Sequence, residues 1–199
     1  KPVDVIVGEL YNDERSWNRV LEWGQVATVA HELKNARIGY MGHVYEGMLD
    51  MNSDPTMFDA HFGMHVTHLE MDDLKKLIDT FTEEEINKKV FLIKETFDFP
   101  EPKVDPITNK VKDEDLIWPA KVSCGMDKLV SEFHLTGLAY YYRGLDNNEY
   151  ERIHAGMIIG NSLLTSQGVP IAGEMDLKTC IAMLIMDRFG SGGSFAEFH

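Results

Sequence analysis

Two glutamates in this chain stand where carboxylate chemistry is possible. Glu174 lies in Gly173-Glu-Met-Asp-Leu-Lys-Thr179, between an extended segment and the start of a helix. At such a junction a carboxylate can project from the C-terminal end of a sheet into a crevice. A Glu placed beside a helix N-terminus to suit its dipole reads the same way in sequence. Glu197 comes 23 residues later, in Gly192-Gly-Ser-Phe-Ala-Glu-Phe-His199, and is equally readable as a surface residue beside flexible glycines. Taken together the pair has a sharper meaning. Hard carboxylate oxygens suit Mg²⁺ or Mn²⁺, and paired carboxylates can be tuned to accept and donate protons near neutral pH. Moving a proton between adjacent carbons beside a carbonyl, through an enediol, uses that combination of Lewis acid and base.

A second set of residues has the chemistry of sugar recognition. Tyr140-Tyr-Tyr142 and Arg143 close one strand-like run, and His43, Tyr45 and Glu46 follow another. Aromatic rings stack on sugar C–H faces, while His, Arg and Glu bond to hydroxyls. The tyrosine triplet also fits a buried strand with rings on both faces. His61, His65 and His68 invite a metal reading, but Gly63 and the β-branched Val66-Thr67 favour a strand, on which residues 65 and 68 face opposite ways. Gly190-Ser-Gly-Gly193 follows a helix instead of preceding one and lacks the Lys-Ser/Thr of a phosphate loop. No Gly-x-Ser-x-Gly elbow is present. Cys124 and Cys180 are 56 positions apart, match no metal or redox spacing, and read as free thiols in a reducing, cytoplasmic compartment.

The elements that must position these residues alternate between strand and helix. Residues 3–9 are β-prone. Apolar residues from Trp17 to Ala30 recur at helical spacing over 16–33, predicting a helix with one buried face. Strands are expected over 36–41 and 64–69, with a short helix over 71–78 between the second strand and the next cap. Thr82 with Glu85 forms a capping box opening a helix toward Phe97, and prolines make 99–110 a loop. A helix over 113–133, interrupted early by Pro119, leads to a strand over 135–142. A helix over 149–166 follows, then a short extended piece over 169–172. Asp176 caps a last helix through Arg188. Short connections between alternating elements give an α/β class, with a mainly parallel sheet in a Rossmann-like three-layer arrangement.

Length and charge bound the rest. The 199 residues correspond to about 1.3 domains, with 44% hydrophobic residues available for a core. The 19 basic and 33 acidic residues give a net charge of −14, which repels phosphate backbones and anionic lipid heads. Nucleic-acid and membrane partners are therefore not expected. No window reaches the apolar length of a membrane span.

At Gly173–Thr179 and Gly192–Glu197, in that order and with a helix of compatible length between them, the chain resembles the L-arabinose isomerase and L-fucose isomerase superfamily, the arabinose side more closely. Arabinose isomerases show similar Gly-Glu-Gly-Asp-Trp-Lys-Thr and Gly-Gly-Thr-Ser-Phe-Met-Glu segments. The resemblance implies a metal-dependent aldose–ketose isomerase using Mn²⁺, or Mg²⁺ or Co²⁺. It would make Glu174 and Glu197 both metal ligands and acid–base groups. Tyr142, and Tyr45 near the family's central-domain loop, would contact substrate. Three domains per subunit and a homo-oligomer with shared sites are also implied. On that pattern residues 1–36 end a first domain, 37–192 form the central domain, and 193–199 begin a third. The family's two histidine ligands lie further along than His199, and the N-terminus lacks Met, so a partial chain that is inactive alone is the expectation. Met175 in place of Gly and Leu177 in place of Trp leave the sugar open. A sugar-binding or regulatory module that keeps the scaffold without turnover is the alternative reading.

Overall fold

The computed structural model describes residues 3–101, 103–104, 111–144 and 147–196. Its centre is a four-stranded sheet in the order β2-β1-β3-β4, made of Arg37–Gly42 (β1), His65–Leu69 (β2), Gly137–Tyr141 (β3) and Ile171–Ala172 (β4). Every pairing is parallel, with Ile38 opposite Val66 and Gly137, and Leu138 opposite Ile171. Successive side chains leave a strand on opposite faces, and the core follows that alternation. Ile38, Tyr40, Ala139 and Ala172 join one apolar cluster, whereas Met41, Leu138, Tyr140 and Ile171 join the other.

Helices cover both faces, as the three-layer expectation requires. On one side are Glu14–Asn35 (α1), Pro55–Phe62 (α2) and, later in the chain, Leu177–Arg188 (α8), burying Leu33, Phe58, Cys180, Ile181 and Leu184 against the sheet. On the other are Met71–Ile78 (α3), Ile117–Glu132 (α5), Glu149–Gly156 (α6) and Ile158–Ser166 (α7), contributing Leu74, Val122, Met126, Ile153 and Leu164. Glu83–Thr96 (α4) packs outside α5 through Ile86 and Ile93. The Thr82–Glu85 capping box that opens α4 is formed in both directions, Thr82 N–H to Glu85 Oε2 at 2.8 Å and Glu85 N–H to Thr82 Oγ1 at 3.4 Å.

Four sequence expectations are corrected. Residues 3–9 are not a strand: they pair with no strand among the described residues, and Val3, Val5 and Val7 are 75–86% exposed. A β-prone sequence without a neighbouring edge has nothing to satisfy its ladder. Helix α1 buries only Val29 and Leu33, because only its C-terminal part reaches the sheet layer; Trp17, Val20, Leu21, Trp23 and Val26 stay exposed. The helix expected from residue 113 starts at Ile117 after a 3-10 turn over Asp113–Leu116, which puts Pro119 in the first turn, where its missing N–H costs no helical bond. The helix expected over 149–166 is two, with a 3-10 bond from Met157 N–H to His154 O at the junction. The loop expected at 99–110 falls largely on residues outside those described. Among the described residues no helix is long and apolar enough to cross a membrane.

Candidate active site

Sheet order decides where a site can lie. The chain goes from β1 to β2 on one side, then returns to place β3 and β4 on the other. Crevices at the carboxyl ends of strands open beside such a reversal. At those ends Gly42 has φ +90°, and a Cβ there would sit 2.1 Å from the Tyr141 carbonyl oxygen. Only glycine lets the two strand ends approach so closely. His43 N–H then donates to Tyr141 O at 3.0 Å.

An open cleft of about 690 Å³ lies over the ends of β3 and β4, against α6 and α7. Glu174 lies in its wall, two residues after β4. Glu174 and Met175 both have left-handed backbone, φ +55° and +59°, an arrangement costing about 1–3 kcal/mol per residue unless the surroundings impose it. They do. Met175 N–H donates to Tyr140 O at 3.0 Å, Tyr45 N–H to Glu174 O at 3.4 Å and Asp176 N–H to Gly173 O at 2.9 Å, while the Met175 side chain is 3% exposed in the core. Asp176 caps α8 through Thr179 N–H at 3.0 Å and Thr179 Oγ1 at 2.5 Å. Backbone strain held by this many contacts concentrates where a side chain must point in one direction.

Tyr140 and Tyr141 form the floor, one ring on each face of β3. Burial raises the Tyr140 hydroxyl above the usual tyrosine range; a hydrogen bond from Asn161 opposes the shift, and the charge of Glu174 adds to it. Tyr141 is raised by burial too, with Glu46 and Glu174 adding to the effect. His154 on α6 meets both rings edge-on, with centroids at 5.4 and 5.5 Å. Burial lowers its basicity against the pull of Glu151. The segment Gly192–Phe195 completes the wall. A Cβ on Gly173 would lie 3.0 Å from the Phe195 ring, so this segment lies directly on the turn that carries Glu174.

The other residues singled out in the sequence are placed as follows. Glu197 lies outside the described residues, two positions beyond Phe195. Tyr142 is beside the cleft rather than in its wall: its hydroxyl accepts from Asn148 Nδ2 at 3.1 Å, and its ring packs against Tyr150 and His43. The Tyr45 ring contacts Tyr141, with centroids 5.1 Å apart, so it supports the floor from the other side. Arg143 pairs with Glu46 at 3.2 Å, and its N–H donates to His43 Nε2 at 3.1 Å, leaving Nδ1–H for the Val44 carbonyl. His65 and His68 lie on β2, as the strand reading required, and the His68 ring packs edge-on against Tyr40. Among the described residues no three metal-ligating side chains gather. Sequence reasoning passes over His154 and Asn161. The helix breaks at Met157 between them, so their seven-residue spacing does not by itself align them on one face, and sequence carries no local signal for the pair.

Residues 50–192 match the family described as the L-arabinose isomerase central domain. The chain belongs to that family. Relatives include the L-arabinose isomerase of Yersinia pestis (strain Pestoides F), 23% identical over 189 residues. That of Aeromonas salmonicida (strain A449) is 21% identical over 191. The alignments take in 94% and 96% of this chain but 36% of each relative, so the chain spans about a third of the length of these enzymes. The parallel sheet with helices on both faces is the α/β architecture of this arabinose isomerase-like chain, and the family is one of sugar isomerases.

Proposed function

We propose that the polypeptide carrying this chain is a metal-dependent aldose–ketose isomerase, and that this chain contributes the turn that aims Glu174 at the substrate. The observation that carries this reading is the pair of left-handed residues at Glu174 and Met175, held at the carboxyl edge of the sheet against a cleft floored by tyrosines. In this reading residues 1–36 close a first domain, 37–192 are the central domain and 193–199 open a third.

A divalent cation needs several hard oxygen ligands. Of the two described carboxylates in the cleft lining, Asp187 is paired with Arg188, and Glu174 does not make a shell alone. However, Phe195 against Gly173 brings the chain to within two positions of Glu197 at the turn that carries Glu174. Two carboxylates would give the hard oxygen ligands that Mn²⁺, Mg²⁺ or Co²⁺ accept. When bound, the ion would supply Lewis acidity toward the sugar carbonyl and its neighbouring hydroxyl.

The chain's own residues carry the proton. One carboxylate removes the hydrogen from C2 of the aldose, and the same proton returns at C1. A second moves the hydroxyl proton from O2 to O1, so the ketose has the atoms of the aldose rearranged. Tyr141 is the half-buried ring that offers surface to the sugar while Tyr140 stays in the core, and burial raises both hydroxyls above the usual tyrosine range, so neither competes for that proton. Tyr45, packed on Tyr141, and Tyr142, just past the end of β3, would contact the substrate.

The test is turnover of a panel of aldoses, L-arabinose among them, by the full polypeptide with Mn²⁺, Mg²⁺ or Co²⁺. Glu174→Gln and Glu197→Gln should each lower kcat by about a hundredfold or more. Variants that stay within a few-fold of the parent would overturn the roles given to the two carboxylates. A parent that binds sugars and turns none over would support the non-catalytic alternative.

A further inference from the structure

Three features of the cleft wall formed by α6 and α7 point to a function that the proton-transfer chemistry leaves unused. His154 is half-buried, and neither of its ring nitrogens is hydrogen-bonded among the described residues, although two tyrosine rings fix the orientation of its imidazole. Asn161 gives its Nδ2 to the Tyr140 hydroxyl at 2.6 Å, which leaves Oδ1 buried with no donor among the described residues. Between them Ile158 lines the same cleft while 66% exposed, a large apolar side chain with no covering neighbour.

Tyr140 links the two polar groups. Its ring meets His154, with centroids 5.4 Å apart, and its hydroxyl meets Asn161 at 2.6 Å, so one buried side chain touches both. A neutral imidazole offers one donor and one acceptor, and a carboxamide offers donors and an acceptor, matching hydroxyls, which both give and accept. Burial favours that neutral form for His154. The described lining includes Glu174 and Asp187 but no Lys or Arg, so an anionic, phosphorylated ligand meets no cation there. The apolar Ile158 between two hydrogen-bonding groups is the pattern a sugar presents in reverse, with a C–H face between hydroxyls.

We propose that His154 and Asn161 select the sugar, by bonding the hydroxyls of an unphosphorylated aldose that do not take part in the proton transfer, with Ile158 against its C–H face. This rests on the isomerase reading for the identity of the bound molecule, and it assigns the specificity of that site to the α6–α7 wall.

The experiment uses the full polypeptide, its preferred aldopentose or aldohexose, and the singly deoxygenated analogues of that sugar. His154→Phe keeps a ring between Tyr140 and Tyr141 and removes both nitrogens. It should raise KM by about tenfold or more while kcat changes by less than about threefold. It should also discriminate no longer between the parent sugar and one deoxy analogue. His154→Gln, which restores a donor and an acceptor, should recover part of the loss. Asn161→Ala should raise KM with the loss tied to a different hydroxyl. Circular dichroism separates these effects from misfolding, and if one variant fails to fold the other two decide. KM values within about twofold of the parent in the folded variants, with discrimination intact, would overturn the proposal while leaving the isomerase reading standing. If the parent turns over no aldose, the isomerase reading fails alone, and calorimetric sugar binding decides the proposal. Binding present in the parent and lost in His154→Phe would support it, whereas binding equal in both, or absent from the parent, would overturn it.

Discussion

Glu174 sits in a conformation that its own side chain disfavours. At φ +55° a β-carbon crowds the backbone, and glycine adopts the same geometry without strain. Glu174→Gly should therefore leave stability within about 1 kcal/mol of the parent, since relief of strain offsets the larger entropy of the unfolded chain. Turnover by the full polypeptide should be lost. Urea unfolding and an isomerase assay on the same preparation read both outcomes; a stability loss above about 2 kcal/mol would show that the side chain holds the turn rather than being held by it. The motif around Glu174 was legible because its residues are contiguous and its cap, Asp176, is local. His154 and Asn161 were not. Each becomes part of a site only through Tyr140, which is 14 and 21 positions away, and no local pattern encodes that contact.

At the scale of elements, the approach of β1 to β3 depends on one position. Gly42→Ala would combine a left-handed φ with a carbon 2.1 Å from a backbone carbonyl, and backbone cannot step aside as a flexible side chain can. The expected cost is about 2 kcal/mol or more, read from denaturant midpoints at unchanged m. A midpoint shift below about 0.5 kcal/mol would mean that the strand ends are further apart than described. A different use of glycine explains the α6–α7 stretch. Cβ atoms at Gly156 and Gly160 would come within 2.9 Å of Val122 and 2.5 Å of Met126, so these glycines let the helices that carry His154 and Asn161 lie close against α5. The helices with complete local signals were readable from sequence: the Thr82–Glu85 box of α4 and the Asp176 cap of α8 are both formed. Residues 3–9 were misread because strand propensity describes a half-buried pleated surface, and no neighbouring strand supplies one.

For the whole molecule the acidic balance matters more than any one ion pair. Exposed pairs such as Lys88–Glu84 and Lys76–Asp72 weigh little, whereas a net charge of −14 repels itself throughout the surface. Raising NaCl from about 20 to about 300 mM should therefore raise the thermal midpoint by a few degrees, because screening relieves repulsion more than it weakens pairs. A falling midpoint would mean that the pairs dominate. Composition and periodicity alone determined that the chain is α/β with a parallel sheet, and two ordered glutamate motifs pointed to the isomerase family. These signals are carried by neighbours in sequence, since caps, turns and side-chain alternation act over a few residues. Only the tertiary structure decided which strands adjoin, that α1 buries just its C-terminal part, and that His154 and Asn161 share a wall with Glu174. Strand order and cleft walls come from packing between residues dozens of positions apart, where the free energy of burial, and not local conformational preference, selects the partner.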